Sequence, residues 1–384
     1  MNLSSLDADI LIIGGGLAGL TAGIHLAQKN LRVILIEKHA YPQHKVCGEY
    51  VSNEVLPYLE QLGISIDEAN PARLERFLFS TVSDGTITSD LPLGGFGLSR
   101  YTLDNLLYKK ALLAGVAIMQ DRVVDVQFAD DSFTVITANE QRYTAKIVIG
   151  AYGKRSSLDK RLEREFSRKS SPWVGVKAHY RADFPADLVA LHNFDGGYCG
   201  LCQVEDNIVN ACYLASYNSF KQYKSVDVFQ QRVLNQNPFL RNFFADAVPV
   251  FDKPLTISQI SFDKKRPVEN HILMSGDTAG VIHPLCGNGM AMAIHSAKLA
   301  SELILEYFAS TSQNRTMLER EYTTTWNHFF KKRLATGRIV QSLLQRPSIA
   351  SVLLRSLRAS PGLLPLLIKQ THGELLVEKT TFYH

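Results

Sequence analysis

Gly14, Gly16 and Gly19, with Glu37 eighteen residues past the last of them, form the first set whose types and spacing suit chemistry. Gly14 allows a tight turn, Gly16 lets the backbone approach a pyrophosphate, and Gly19 lets a helix pack closely on a strand. Glu37 can accept hydrogen bonds from the ribose of an adenosine. A second set lies far along the chain: Gly276-Asp277-Thr278-Ala279-Gly280, then Pro284, then Gly287-Asn288-Gly289-Met290. Here Asp277 can hold a hydroxyl of a sugar-like chain. The N–H groups at 287–290, with the dipole of a following helix, can stabilise negative charge on a ring beyond it. A reduced flavin carries such a charge on its pyrimidine side.

These residues need elements to position them. Ala8-Asp9-Ile10-Leu11-Ile12-Ile13 reads as a buried parallel strand, Leu17 to about Lys29 as a helix, and Arg32-Val33-Ile34-Leu35-Ile36 as a second strand ending at Glu37. Strand, G-x-G-x-x-G, helix, strand and acid follow in the order a dinucleotide fold requires, and the helix N-terminus turns free N–H groups towards phosphates. After the polar loop 41–49 come a helix from about Ser52 to Leu62 and a helix leading from Arg100 to near Gly115. Short strands around 117–119, 122–128, 133–138 and 143–144 form a meander, and Ile147 to Ala151 reads as another buried strand. Alternation from about Trp173 to Ser261 predicts an antiparallel sheet, with a hairpin turning at Glu205-Asp206-Asn207. Ile272-Leu273-Met274 returns as a last strand, and a helix runs from about Asn288 to Phe308. Helices fill the remainder, broken by Pro347, Pro361 and Pro365. The expected fold is α/β: a Rossmann-type domain over 1–172, including a 41–100 loop region beside the cofactor and substrate. An inserted antiparallel-sheet substrate domain follows over 173–261, then the return to the first domain over 262–320 and a helical tail over 321–384.

Composition narrows the function classes. With 384 residues, 46% hydrophobic and 20% charged, the chain is an ordinary globular protein of two or three domains. The first residues do not have the pattern of a secretory leader, and the longest apolar stretch, Ile10 to Ile24, is the glycine-broken strand and helix above. The five cysteines are scattered without metal-ligand spacing, which points to a reducing cytosol and to no metal site. The net charge of +4 is unevenly spread, because residues 331–369 hold eight Lys or Arg and no Asp or Glu. Arg338, Arg346, Arg355, Arg358 and Lys369 interleave there with Ile339, Leu343, Leu344, Val352, Leu353, Leu354, Leu357, Leu366 and Leu367. Such helices suit peripheral contact with an anionic membrane or an acidic acyl carrier, or a packed pair with a solvated basic face. No basic-aromatic pattern suggests nucleic acid.

The two glycine-rich sets, with Arg100-x-x-Leu103-Asp104-x-x-Leu107 between them, resemble the flavoprotein superfamily of para-hydroxybenzoate-type hydroxylases and geranylgeranyl reductases. The resemblance covers about residues 8–310. It implies that FAD is held at its ADP half by Gly14, Gly16, Leu17, Ala18, Gly19, Glu37 and Lys38. It implies further that Gly276, Asp277 and Gly280 hold the ribityl chain, that Arg100 approaches the cofactor, and that Gly287, Asn288, Gly289 and Met290 face the isoalloxazine. Pro42-x-x-Lys45-x-Cys47-Gly48-Glu49 is most similar to the geranylgeranyl reductase branch, in which the matching cysteine lies beside the flavin.

The chain departs from its relatives in two places. Hydroxylases of this type carry an Asp-Gly pair, associated with NAD(P)H, where this chain has Tyr152-Gly153. Reductases carry Tyr-x-Trp-x-Phe-Pro where this chain has Tyr198-Cys199-Gly200-Leu201-Cys202-Gln203. The tryptophan pattern of flavin-dependent halogenases is missing. Cys47 and His283 are the candidate catalytic residues, His283 because an unperturbed imidazole can donate or accept a proton near neutrality, although it could equally cap a turn. Glu49 and Tyr198 are candidates for holding substrate. Cys199 and Cys202, three apart on a strand, point to opposite faces and do not suit a disulfide. The expected activity is FAD-dependent reduction of a carbon–carbon double bond in a hydrophobic small molecule. The alternatives are an aromatic monooxygenase with NAD(P)H as electron donor, and a non-catalytic lipid carrier.

Overall fold

The computed structural model describes residues 6–83, 85–223, 225–344, 355–360 and 362–377. Arg346, Pro347, Val352, Leu353, Leu354 and Pro361 of the basic tail lie outside the described residues.

The aliphatic runs form a parallel sheet buried on both faces. Ala8–Ile13 lies between Val33–Glu37 and Arg142–Gly150, parallel to both. Ala117–Gln120 extends the sheet beyond Val33–Glu37, and Ile272–Met274 extends it beyond Arg142–Gly150, again in parallel. Strands this rich in Ile, Leu and Val are stable only with cover on both sides. Helix Leu17–Ala27 supplies cover, with every residue from Leu17 to Leu26 buried, packed against helices Arg100–Leu113 and Gly289–Ala309. The meander is present as Val123–Ala129 and Ser132–Thr137, running onto Arg142–Gly150. That last strand is continuous where the sequence suggested two pieces, because no glycine or proline interrupts 142–150.

Among the described residues the second sheet has nine strands, and it recruits more of the chain than 173–261. Trp173–Arg181, Val209–Ser216, Gly197–Gln203 and Leu188–Phe194 pair antiparallel in that order. Ala72–Ser80 then joins Leu188–Phe194 in parallel, followed by Thr86–Gly97 and Tyr50–Ser52. The hairpin turns at Glu205–Asn207, as the sequence predicts. Residues 217–246 depart from the expected sheet: they form short helices Tyr217–Phe220, Val226–Arg232 and Pro238–Asp246. Ser225 caps the second through Val228 N–H at 3.2 Å, and Asn237 caps the third, with Pro238 at its first position. Phe229, Leu234 and Leu240 from this helical layer cover one face of the sheet, against Val176, Phe194, Cys199 and Tyr213.

Alternation sends the neighbouring side chains to the opposite face. Lys177, His179, Tyr198, Cys202, Asn210 and Cys212 therefore turn towards the parallel-sheet domain. That face, the C-terminal ends of the parallel strands and the C-terminal helices enclose one large cavity.

Candidate active site

Both glycine-rich turns lie where parallel strands end, the edge at which open α/β sheets bind ligands. Gly14 has φ of +104°, and a Cβ there would sit 2.4 Å from the Ala151 carbonyl oxygen. A Cβ on Gly19 would lie 1.9 Å from the Gly14 carbonyl oxygen, so no side chain fits where helix crosses strand. Gly16 differs: the only neighbour of an added Cβ is the Arg100 Nη2 at 3.8 Å, which leaves its backbone open to the cavity. Helix Leu17–Ala27 starts at Gly16 with no side-chain cap and no acid in its first turn. Helix Gly289–Ala309 starts at Asn288 in the same way. Two uncapped helix N-termini thus open on one cavity, each presenting free N–H groups and partial positive charge. One suits a pyrophosphate and the other the anionic pyrimidine edge of a reduced flavin.

Most of the sequence-predicted residues meet here. Gly16, Leu17, Ala18, Glu37 and Lys38 line one end of the cavity. Cys47, Glu49, Arg100, Gly276, Asp277, Gly287, Gly289 and Met290 line the middle, and Tyr198 lies on the sheet wall. Gly14, Gly19, Gly280 and Asn288 are not on the wall. Gly280 instead packs against Trp326, 2.9 Å from an added Cβ. Asn288 donates through Nδ2 to the Thr371 carbonyl at 2.9 Å, fixing the C-terminal strap to the glycine-rich loop.

Glu37 is already held in place, accepting from Gly15 N–H at 2.7 Å and His39 N–H at 3.0 Å, while Tyr41 donates to the Gly15 carbonyl at 2.5 Å. Each carboxylate oxygen keeps a second lone pair for a ribose hydroxyl. Arg100 grips Asp104 through Nε at 2.7 Å and Nη2 at 2.8 Å, and Lys45 adds a third contact at 2.8 Å. Burial raises the Asp104 pKa, but Arg100 and Lys45 outweigh it and hold the carboxyl below its ordinary value. Arg100 is thereby aimed at the loop containing Cys47.

His283 does not reach the cavity wall. It accepts from Leu285 N–H at 3.4 Å as the cap of the Pro284–Cys286 turn, and its ring sits among Trp173, Tyr198 and Phe262. Burial depresses its pKa to about 3, so it is neutral near pH 7. The ring caps the turn through Nδ1, and its buried Nε2 has no hydrogen-bond partner among the described residues. Glu49 lines the cavity but is fully committed: Lys177 Nζ, His179 Nε2 at 2.7 Å and Arg100 N–H at 2.7 Å all reach its carboxylate. Burial raises its pKa; Lys177 and His179 more than reverse that. Its role here is to clamp the loop.

Tyr198 is the opposite case. It is 7% exposed and lines the cavity, and its hydroxyl has no hydrogen-bond partner among the described residues. Burial raises its pKa well above the ordinary value, so the proton stays on oxygen. Cys47, Cys202, Cys212 and Cys286 also line the cavity, while Cys199 faces the other side of the sheet, as strand alternation requires. Burial pushes the Cys212 and Cys286 thiols up to about 12, which keeps both uncharged.

Several supporting residues escape the sequence reading. Lys177 and His179 reach Glu49, Asn210 donates to the Cys47 carbonyl at 3.1 Å, and Glu205 accepts from Ser99 N–H at 2.8 Å and Thr102 Oγ1 at 2.6 Å. A lysine in the apolar strand Trp173–Arg181 was the one visible signal. Lys265 donates to the carbonyls of Lys154 at 2.9 Å and Asp277 at 2.8 Å, joining the loops on either side of the cofactor end.

An FAD binding domain family matches residues 7–320, and the chain belongs to that family. The protein is an FAD-dependent oxidoreductase. The chain is 24% identical over 361 residues to conditioned medium factor receptor 1 of Dictyostelium discoideum, covering 83% of this chain and 67% of that one. It is also 24% identical over 350 residues to digeranylgeranylglycerophospholipid reductase of Methanosarcina acetivorans, covering 83% and 80%. Among solved structures, the flavin-dependent brominase Bmp2 superposes with a TM-score of 0.78 at 17% identity, covering 95% of this chain and 93% of that one. At that identity the likeness concerns the fold.

Proposed function

We propose that this flavoprotein reduces a carbon–carbon double bond in a long hydrophobic molecule. The observation that carries the reading is the cavity itself. Its volume of about 1390 Å³ includes the space that FAD would fill, and it continues beyond the cofactor residues into an apolar chamber. Phe79, Ile87, Leu191, Leu214 and Val281 line that chamber, and Leu357, Leu364 and Leu367 roof it. The relative named as a reductase of digeranylgeranylglycerophospholipid is consistent with such a substrate.

The residues divide the work. FAD, when bound, supplies hydride chemistry. Uncapped N–H groups at Gly16 and at Gly289–Met290 hold the charged parts of the cofactor, and Asp277 holds its hydroxyl-bearing chain. The chamber excludes water and lays an apolar chain against the 287–290 loop. Reduction also needs a proton on the neighbouring carbon, and we assign it to the Tyr198 hydroxyl or the Cys47 thiol, both of which line the cavity. The Tyr152-Gly153 departure favours reduction over nicotinamide-driven hydroxylation, and NAD(P)H remains a candidate donor to be tested.

The test is mass spectrometry of products from a lipid-soluble extract of the source cells. One arm is anaerobic with a chemical reductant; the other is aerobic with NAD(P)H and heavy-isotope oxygen. A molecule that gains two hydrogens without air is the expected result. Heavy oxygen incorporated in the aerobic arm alone identifies a monooxygenase and overturns the proposal.

A further inference from the structure

The roof of the cavity has an unusual outer surface. In helix Leu363–Thr371, Leu364, Leu367, Ile368 and Thr371 face the cavity or its roof packing, at the spacing of one helical face. The outward positions of a helix covering a soluble enzyme are ordinarily polar, yet here Leu363 is 47% and Leu366 58% exposed. Ile339, on helix Arg315–Leu344, lines the cavity and is also 59% exposed, which marks a cavity mouth on the helix that packs against Leu363–Thr371. The segment that forms the roof is basic, since residues 331–369 contain no acid, and Glu374 lies beside Lys369. Arg338, Arg355 and Lys369 have no carboxylate partner among the described residues.

We propose that this face docks on an anionic lipid bilayer, with Leu363 and Leu366 entering the headgroup boundary and the cations meeting anionic lipid. Protruding apolar side chains ringed by unpaired cations suit a bilayer, whose surface has both an apolar layer and negative charge. An acidic protein carrier would match the charge and leave the leucines without a complement. The proposal rests on reading the chamber as the site of a hydrophobic substrate: docking sets the mouth at Ile339 against the layer in which such a molecule dissolves.

The experiment is vesicle flotation of the full-length, FAD-loaded protein. Vesicles of phosphatidylcholine alone are compared with vesicles also containing phosphatidylglycerol, at low and high salt. Partition onto the anionic vesicles at low salt, reversed by high salt, is expected. The L363S/L366S variant should bind at least about tenfold more weakly. Lys369→Gln should lose about fivefold, the effect of one cation near an anionic surface. Both variants should keep their flavin absorbance, since neither position touches the cavity wall. Absence of binding to anionic vesicles at low salt overturns the proposal, as does undiminished binding by both variants. Retention on an acidic carrier protein without vesicle binding assigns the surface to that carrier and overturns it too. Vesicle binding requires no turnover, so docking without any reduced product sinks the catalytic reading alone. Product formed in detergent without vesicle binding sinks the docking alone.

Discussion

The two ends of the cavity are built on different physical terms. At the cofactor end the working groups are backbone: open N–H groups at two helix starts, and a turn that tolerates no Cβ at Gly14 or Gly19. Its side chains, such as Glu37 and Arg100, are already hydrogen-bonded before any ligand arrives. At the far end the working groups are side chains, mostly apolar, and the Tyr198 hydroxyl has no partner among the described residues. One end is preorganised for a fixed ligand. The other is a volume whose occupant is selected by shape and water exclusion. Variants should accordingly separate into those that lose flavin and those that keep it and lose turnover.

Among single substitutions, the clamp between the two ends should give the largest loss of stability. Lys177 and Glu49 are both fully buried, and Lys177→Met leaves the Glu49 carboxylate with only His179 and backbone as support. Removing one member of a buried pair costs about 3–5 kcal/mol, because the remaining charge is uncompensated. Urea unfolding should show that loss, and the double variant Lys177→Met with Glu49→Gln should recover part of it. A double variant no more stable than Lys177→Met would mean that the pair is not what joins sheet to loop.

Acid should weaken the whole molecule next. Burial lowers the pKa of His25 and His192 to about 4, and of His283 and His295 to about 3, from 6.5. In each case the unfolded chain binds a proton that the folded chain refuses, so stability is complete above about 6.5 and falls as pH drops towards 4. Each such imidazole contributes a slope of about 1.4 kcal/mol per pH unit in that window. Glu49 and Asp104, held below their ordinary values, add losses of the same sign at lower pH. Thermal unfolding followed from pH 7.5 to 4.5 checks this; a flat midpoint across the window contradicts it.

Asp277→Ala tests the cofactor end alone. A hydrogen bond to a charged group is worth about 1.5–3 kcal/mol, so flavin affinity should fall roughly 10- to 100-fold, read by absorbance after gel filtration. Full flavin occupancy at low FAD concentration would remove Asp277 from the site.

The contrast between the ends also explains what the sequence could disclose. The turn at Gly14, Gly16 and Gly19 was legible because backbone geometry demands glycine at particular spacings, and that demand is local. The parallel strands were legible because their aliphatic runs need cover on both faces. The strand Ala72–Ser80 was not, since it joins the sheet by pairing across more than a hundred residues with Leu188–Phe194, and Thr86–Gly97 enters only as its antiparallel neighbour. The helices within 217–246 were hidden by the alternating sheet on both sides of them. His283 drew notice through its place in a glycine-rich loop, yet only the packing of Trp173 and Phe262 decides which way its ring turns. Glu49 likewise could not be separated from a substrate ligand until Lys177, on a strand 128 residues away, was seen to hold it.

Tyr198→Phe gives the smallest effect on the fold and the most informative one for the far end. A buried hydroxyl holding a structural hydrogen bond costs stability when deleted. This hydroxyl has no partner among the described residues, so its removal should leave stability unchanged within about 1 kcal/mol, or raise it slightly. Flavin occupancy should also stay constant, because the phenylalanine ring keeps the packing against His283 beside the glycine-rich loop. Turnover should nevertheless fall by about a hundredfold, the lower end of what a positioned proton donor contributes. The fall should appear in kcat with KM changed little, since the ring that packs against substrate remains. A drop in stability with unchanged turnover would make the hydroxyl structural and leave the Cys47 thiol, also on the cavity wall, as the candidate donor.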